Sequence, residues 1–88
     1  MIQREVSIRN RAGLHTRPAA TLVKLAAKFK AEFFIEKDGM EINGKSIIGV
    51  MTLAAEQGST LTVRFSGEDE EEACTAMVDL FARGFDEK

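Results

Sequence analysis

Glu32-Phe33-Phe34-Ile35-Glu36-Lys37-Asp38-Gly39-Met40-Glu41-Ile42-Asn43-Gly44 is the stretch on which the fold turns. Phe33 and Ile35 alternate with Glu32 and Glu36, and Met40 and Ile42 alternate with Glu41 and Asn43, which is the period of a strand with one buried face. Asp38-Gly39 between them suits a tight hairpin, because both residues tolerate the positive φ that a two-residue turn demands. The pair is therefore antiparallel, apolar on one side and wet on the other. Outward along the chain, Leu61, Val63 and Phe65 alternate with Thr60, Thr62, Arg64 and Ser66 as a third strand. Ile2, Val6 and Ile8 alternate with Gln3, Glu5, Ser7 and Arg9 as a fourth, across roughly residues 2–9, with Arg4 breaking one inward position.

Helical patterns fill the intervals. Thr16-Arg17-Pro18 opens the first: Thr16 is the expected N-cap, and Pro18 falls in the first turn, where its missing N–H costs nothing. Ala19, Ala20, Leu22, Val23, Ala26, Ala27 and Phe29 make a wide apolar face, while Arg17, Thr21, Lys24 and Lys28 recur at helical spacing as a basic stripe. Ser46 is the expected N-cap of a short helix containing Ile47, Ile48, Val50, Met51, Leu53, Ala54 and Ala55 and closed by Gly58. Gly49 within it costs up to ~1 kcal/mol relative to Ala. Periodicity alone puts Ile47, Ile48 and Met51 in the core. In the last helix Glu68 to Glu72 crowd the start, where the macrodipole favours acids. Ala73, Met77, Leu80, Phe81 and Gly84 line its inner face, widened by Cys74, Val78 and Phe85. The order is βαββαβα. Strands with one apolar face each give an α+β fold, an open-faced β-sandwich in which a four-stranded antiparallel sheet carries three helices on one face.

With 88 residues the chain has room for a single domain, residues 1–88, and no interdomain cleft, so function must sit on a surface. A hydrophobic fraction of 44% with six Phe excludes a disordered tail. No stretch approaches the ~20 apolar residues of a membrane span, and Met1-Ile2-Gln3-Arg4-Glu5 has no signal-peptide hydrophobic region, so a cytoplasmic protein is expected. The lone Cys74 excludes a disulfide-stapled fold and a cysteine-based zinc site. The net charge of -2 hides an asymmetry: residues 1–30 carry seven Lys or Arg against Glu5, and residues 31–88 carry five against thirteen acids. The basic third would attract something negative. The acidic balance and the lack of readable exposed aromatics argue against nucleic acid.

Chemistry concentrates in Gly13-Leu14-His15-Thr16-Arg17-Pro18-Ala19-Ala20. Imidazole is the side chain best suited to nucleophilic work near neutral pH. Just before a helix it meets unpaired backbone N–H groups and the positive end of the macrodipole, worth ~0.3 to 1 kcal/mol to a nearby anion. Arg17 offers a guanidinium fork that matches phosphate oxygens, and Gly13 permits the backbone turn that aims His15 outward. A lone His at this place also serves simply as a capping or surface residue, and a basic stripe as a solvated face. Their coincidence at one helix terminus favours phosphate chemistry.

Residues 13–20, with Asn43-Gly44-Lys45-Ser46-Ile47-Ile48-Gly49-Val50-Met51 further on, resemble the HPr family, the histidine-containing phosphocarriers of the bacterial phosphoenolpyruvate-dependent sugar phosphotransferase system. The resemblance spans essentially the whole chain and implies the sheet order 1-4-2-3. It implies that His15 accepts a phosphoryl group at Nδ1 from phospho-enzyme I and passes it to a histidine of an enzyme IIA domain, with Arg17 stabilising the phosphorylated state. Thr16, Lys24, Lys28, Ile47, Ile48 and Met51 would then face partners, the three apolar residues as an exposed docking patch. Ser46 matches the serine modified by HPr kinase in many relatives, where added phosphate would repel an acidic partner. No metal or cofactor is expected on this chain, nor is turnover as a stand-alone enzyme; the carrier is expected to be a monomer.

Two departures bear on the branch served. Position 12 is Ser or Asn in many sugar-branch relatives and here is Ala12, which removes an auxiliary hydrogen bond near the histidine. Asn10-Arg11-Ala12-Gly13 and Leu80-Phe81-Ala82-Arg83-Gly84-Phe85-Asp86-Glu87 look more like nitrogen-branch and regulatory paralogues, for which a protein-binding module controlled at Ser46 is the alternative reading.

Overall fold

A computed structural model describes residues 1–87. The elements are β1 (Ile2–Ser7), α1 (Thr16–Ala26), β2 (Glu32–Lys37), β3 (Met40–Asn43), α2 (Ile47–Thr52), β4 (Thr60–Ser66), α3 (Glu70–Ala82) and a 3-10 turn, η1 (Gly84–Asp86). The strands form one antiparallel sheet in the order β1-β4-β2-β3. This is the α+β open-faced sandwich expected from the alternation.

The β2–β3 hairpin closes through Asp38 (φ 51°) and Gly39 (φ 84°), both in the left-handed region that a tight two-residue turn requires. Inward-facing Val6, Phe33, Ile35, Leu61, Val63 and Phe65 are buried. Phe33 and Phe65, register partners on β2 and β4, stack with ring centroids 4.8 Å apart. Leu22 of α1, Val50 of α2 and Met77, Leu80 and Phe81 of α3 complete the core beneath the helices. On the open face Arg64, central on β4, fastens three other strands: its Nε reaches Gln3 at 3.0 Å, one terminal nitrogen Glu41 at 2.5 Å and the other Glu36 at 2.8 Å. Those carboxylates hold its proton more firmly than usual, with Glu36 the main cause. Arg4 keeps its inward parity without entering the core. β1 is an edge strand, so the side chain runs out beside α3 and lines a shallow depression with Cys74, Thr75 and Val78.

Several boundaries differ from those read in the sequence. β1 ends at Ser7, after which Ile8 pairs with the loop before β4 through Ile8 N–H to Ser59 O (2.9 Å) and Gly58 N–H to Ile8 O (2.8 Å). α2 stops at Thr52, and Ala54 takes a left-handed conformation (φ 49°) that turns the chain away before Gly58 (φ 91°) is reached. α3 stops at Ala82, so Gly84 and Phe85 do not extend its inner face; they are buried in the following turn. Lys28 lies beyond the end of α1.

Asp69 precedes α3 but does not cap it with its side chain. Its carboxylate instead accepts from the N–H groups of Lys30 and Ala31, both at 2.8 Å, tying the start of α3 to the entry of β2. The Lys30 N–H chiefly holds the Asp69 carboxyl below the usual carboxylate range, against some desolvation. A depressed folded-state value means that this contribution to stability is present above the unfolded value of 3.8 and is lost as pH falls through the folded one. Asp69→Asn, which cannot accept both bonds as an anion, should lower the thermal midpoint at pH 7, with the gap to wild type closing below pH 4. Calorimetry across pH 2–7 checks both.

Candidate functional site

The site is built at the junction of β1 and α1. Asn10, only 4% exposed, donates from Nδ2 to Gly13 O at 2.8 Å and to Glu87 Oε1 at 2.9 Å. Gly13 takes φ 73°, and a Cβ there would lie 2.4 Å from Ala55 O, so the position excludes a side chain twice over. Leu14 N–H donates to that same carbonyl at 2.9 Å while its side chain is buried. Leu14 faces in, and His15 consequently faces out.

His15, not Thr16, is the N-cap of α1: its backbone is extended (φ -82°, ψ -171°), its carbonyl accepts from Ala19 N–H at 2.9 Å, and its imidazole makes no capping bond. Thr16 is the first helical residue, because the chain enters the helix directly from the extended Leu14-His15 segment. A helix leaves the N–H groups of its first three residues without an intrahelical acceptor, and here the third is Pro18, which has none. The N–H groups of Thr16 and Arg17 therefore head the helix with no acceptor among the described residues. An anion at this terminus finds two backbone donors and the positive end of an eleven-residue dipole.

Beside that terminus a depression is lined by Arg11, Ala12, His15, Arg17, Thr21, Phe85, Asp86 and Glu87. The His15 side chain is 46% exposed. Of the residues expected to work together, His15 and Arg17 share the depression; Thr16 and Lys24 are exposed on α1 outside it, and Lys28 follows the helix. Ala12 lines the depression without any side-chain hydrogen bond to offer.

Ser46 caps α2 as expected, its Oγ accepting from Gly49 N–H at 3.1 Å. Ile47, Ile48 and Met51 are 38, 77 and 43% exposed, which corrects the periodicity reading that placed them in the core. Six residues make under two turns, and Val50, with Leu53 following, is enough to pin so short a helix. Its remaining apolar side chains are left outward, as the resemblance implied.

The family profile described as PTS HPr component phosphorylation site matches residues 2–83. The chain belongs to the HPr family. HPr proteins are phosphocarriers of the phosphotransferase system, and among this chain's relatives is a phosphocarrier protein HPr of Xylella fastidiosa, 44% identical over 99% of this chain and 98% of the relative. An HPr-like protein Crh of Halalkalibacterium halodurans is 46% identical over 89% and 93% of the respective chains. A crystal structure of HPr from Thermoanaerobacter tengcongensis superposes with a TM-score of 0.96 at 43% identity, covering 100% of this chain and 99% of that one.

Reading the sequence missed the C-terminal wall of the site. Gly84, Phe85 and Asp86 adopt φ 62°, 58° and 60°, three consecutive left-handed residues that fold the chain after α3 back over the β1–α1 junction. The two that are not glycine cost about 1–2 kcal/mol each. Phe85 offsets this by burial and by an edge-on contact with Phe81, centroids 5.0 Å apart. Glu87 thereby returns to His15, with Oε2 3.4 Å from Nε2. The one available signal was Gly84 as a left-handed stop after α3.

Gly13→Ala combines a left-handed alanine with a collision against Ala55 O. It should cost at least about 2 kcal/mol, which for a domain of this size lowers the thermal midpoint by roughly 8 °C or more. Differential scanning calorimetry measures the shift, and an unchanged midpoint would contradict the packing described here.

Proposed function

We propose that the chain carries a phosphoryl group on His15, accepting it from phospho-enzyme I and donating it to a histidine of an enzyme IIA domain. The observation that carries this reading is a solvent-exposed imidazole beside two unpartnered amides and a guanidinium at the head of α1. Neutral imidazole attacks phosphorus through Nδ1, the donor's P–N bond breaks with its electron pair returning to the donor ring, and the new phosphohistidine is held by the Thr16 and Arg17 N–H groups and by the Arg17 fork. Reversal onto the next histidine needs no metal or cofactor on this chain, and no substrate is turned over, so the chain is a carrier and not an enzyme. Lys24 and Lys28 steer acidic partners, while Thr16, Ile47, Ile48 and Met51 form the docking surface. The carrier reading makes the chain a cytoplasmic monomer that meets its partners by diffusion; among the described residues no helix is long and apolar enough to cross a membrane.

The regulatory reading keeps the same surface and acts through Ser46. Its Oγ stands at the head of α2 next to Ile47 and Ile48, so a phosphate there places about -1.5 to -2 charges at the rim of the docking patch. The likeness to Crh proteins supports this reading too, and a Bacillus subtilis Crh, 40% identical, is described as a swapped dimer, which makes oligomeric state a companion measurement.

Incubation with enzyme I and labelled phosphoenolpyruvate should give one acid-labile phosphate per wild-type chain and none on His15→Ala. A wild type that stays unlabelled, or a labelled His15→Ala, would sink the carrier assignment. Arg17→Ala should lower the transfer rate by about tenfold to a hundredfold, since it removes charge stabilisation where the phosphoryl group is exchanged. Ser46→Asp should weaken enzyme I binding by roughly threefold to tenfold in calorimetric titrations while leaving the labelled residue unchanged.

A further inference from the structure

We infer that Glu87 is a positioning residue for His15: its carboxylate holds the imidazole by Nε2, so that Nδ1 is the nitrogen presented for reaction. The inference rests on the carrier reading for its chemical meaning, but on independent geometry for its existence.

Glu87 is fixed at one oxygen and turned toward the imidazole with the other. Oε1 accepts from Asn10 Nδ2 at 2.9 Å and Oε2 faces His15 Nε2 at 3.4 Å, with the Glu87 side chain only 20% exposed. The Asn10 amide cannot be reversed, because its Nδ2 also donates to Gly13 O at 2.8 Å and an oxygen turned that way would face two acceptors. Asn10 Oδ1 has no hydrogen-bond partner and is buried, so the amide's buried orientation is spent on presenting a donor to the Glu87 carboxylate. The backbone is held equally firmly, since the left-handed turn at Gly84, Phe85 and Asp86 is anchored by the buried Phe85 ring. A strained turn that is pinned at one end and delivers a carboxylate to an imidazole at the other is the arrangement of a positioning group.

Its chemistry follows from the tautomer. A carboxylate facing Nε2 favours the neutral ring with hydrogen on Nε2 and the lone pair on Nδ1. When Nδ1 attacks phosphorus, the P–N bond forms there and the ring acquires positive charge, with its proton still on Nε2. Glu87 stabilises that charge without taking part in the bond exchange, and the contact tightens from 3.4 Å as the ring becomes cationic. The same carboxylate repels an incoming phosphate. Arg11 and Arg17, which line the depression with it, offset that repulsion, and Asp86 is the remaining charged group facing the site.

Glu87→Gln removes the charge and keeps the shape. Two readouts are needed, each made on the full chain. The first is long-range proton–nitrogen correlation of the His15 ring, recorded above the pH of its titration and without any donor: wild type should show hydrogen on Nε2 as the dominant form, and the variant a measurable shift of population toward hydrogen on Nδ1. The second is the rate of phosphorylation by potassium phosphoramidate, in which Nδ1 displaces ammonia from phosphorus and no partner protein is involved. The variant should react about two- to fivefold more slowly, the scale of a partly exposed ion contact. An unchanged ring spectrum, or an unchanged rate with phosphoramidate, overturns the assignment. Failure of the wild type to accept phosphate from enzyme I would overturn the carrier reading alone, because neither measurement here uses that protein. Equal thermal midpoints for the two proteins will show that the effects arise at the ring and not from a loosened fold.

Discussion

The turn from Asn10 to Leu14 is the constraint on which the site depends. Gly13 N–H closes on Asn10 O at 3.2 Å, the Asn10 side chain returns to Gly13 O, and Leu14 N–H reaches across to Ala55 O. Those bonds use donors from one loop and an acceptor from the segment after α2, so β1, α1 and α2 are locked at one point. The left-handed Gly13 sets the direction of travel, and the buried Leu14 side chain acts as a plug that leaves its neighbour no choice but the surface. A histidine on a floppy loop would lose orientation each time a partner approached. Here its backbone carbonyl is already committed to the first bond of α1, so the ring swings only about its own side-chain torsions.

A second constraint pulls against folding stability. Leaving Ile48 largely exposed, with Ile47 and Met51 partly so, forgoes burial worth ~1.5–3 kcal/mol for each such side chain fully buried. The helix that carries them is short, contains Gly49, and is held by the Ser46 cap and by Val50 and Leu53 underneath. Lys45 reinforces the approach by donating from Nζ to Phe29 O at 2.8 Å, linking the α2 entry to the loop after α1. The arrangement keeps a small apolar surface outward without letting it collapse onto the sheet. On the docking role proposed for it, such a patch would serve as a transient interface.

How much of this could be read from residues alone varies with the length scale of the force involved. The sheet was legible because alternation over Phe33–Ile35, Leu61–Phe65 and Ile2–Ile8 is a local consequence of one buried face, and Asp38-Gly39 is a local turn preference. His15 and Arg17 were legible because they sit two positions apart at one helix terminus. The identity of the cap was not: Thr16 and His15 differ by one residue, and what decides between them is the extended Leu14-His15 backbone fixed by Ala55, forty residues away in sequence. The exposure of Ile47, Ile48 and Met51 escaped the periodicity for a similar reason, since a six-residue helix satisfies its packing with one inward side chain and the pattern carries no record of that. Glu87 was invisible because three successive left-handed residues bring it back to the site, and in sequence neither Phe85 nor Asp86 advertises that conformation.

The charge asymmetry acquires meaning only in three dimensions. Acidic side chains of the later part of the chain are largely consumed internally: Glu36 and Glu41 by Arg64, Asp79 and Asp86 by Arg83, Glu68 by Lys30. Among the described residues Arg11, Arg17, Lys24 and Lys28 form no ion pair, so the positive charge of the β1–α1 region is countered only by Asp86 and Glu87 across the depression. Exposed like charges spaced along α1 and its flanks repel weakly, and at physiological ionic strength screening over ~8 Å reduces that cost further. The same screening length still lets the cluster act collectively on a large acidic surface at the moment of encounter. A protein with a net charge of -2 can thus present a positive face while remaining acidic overall.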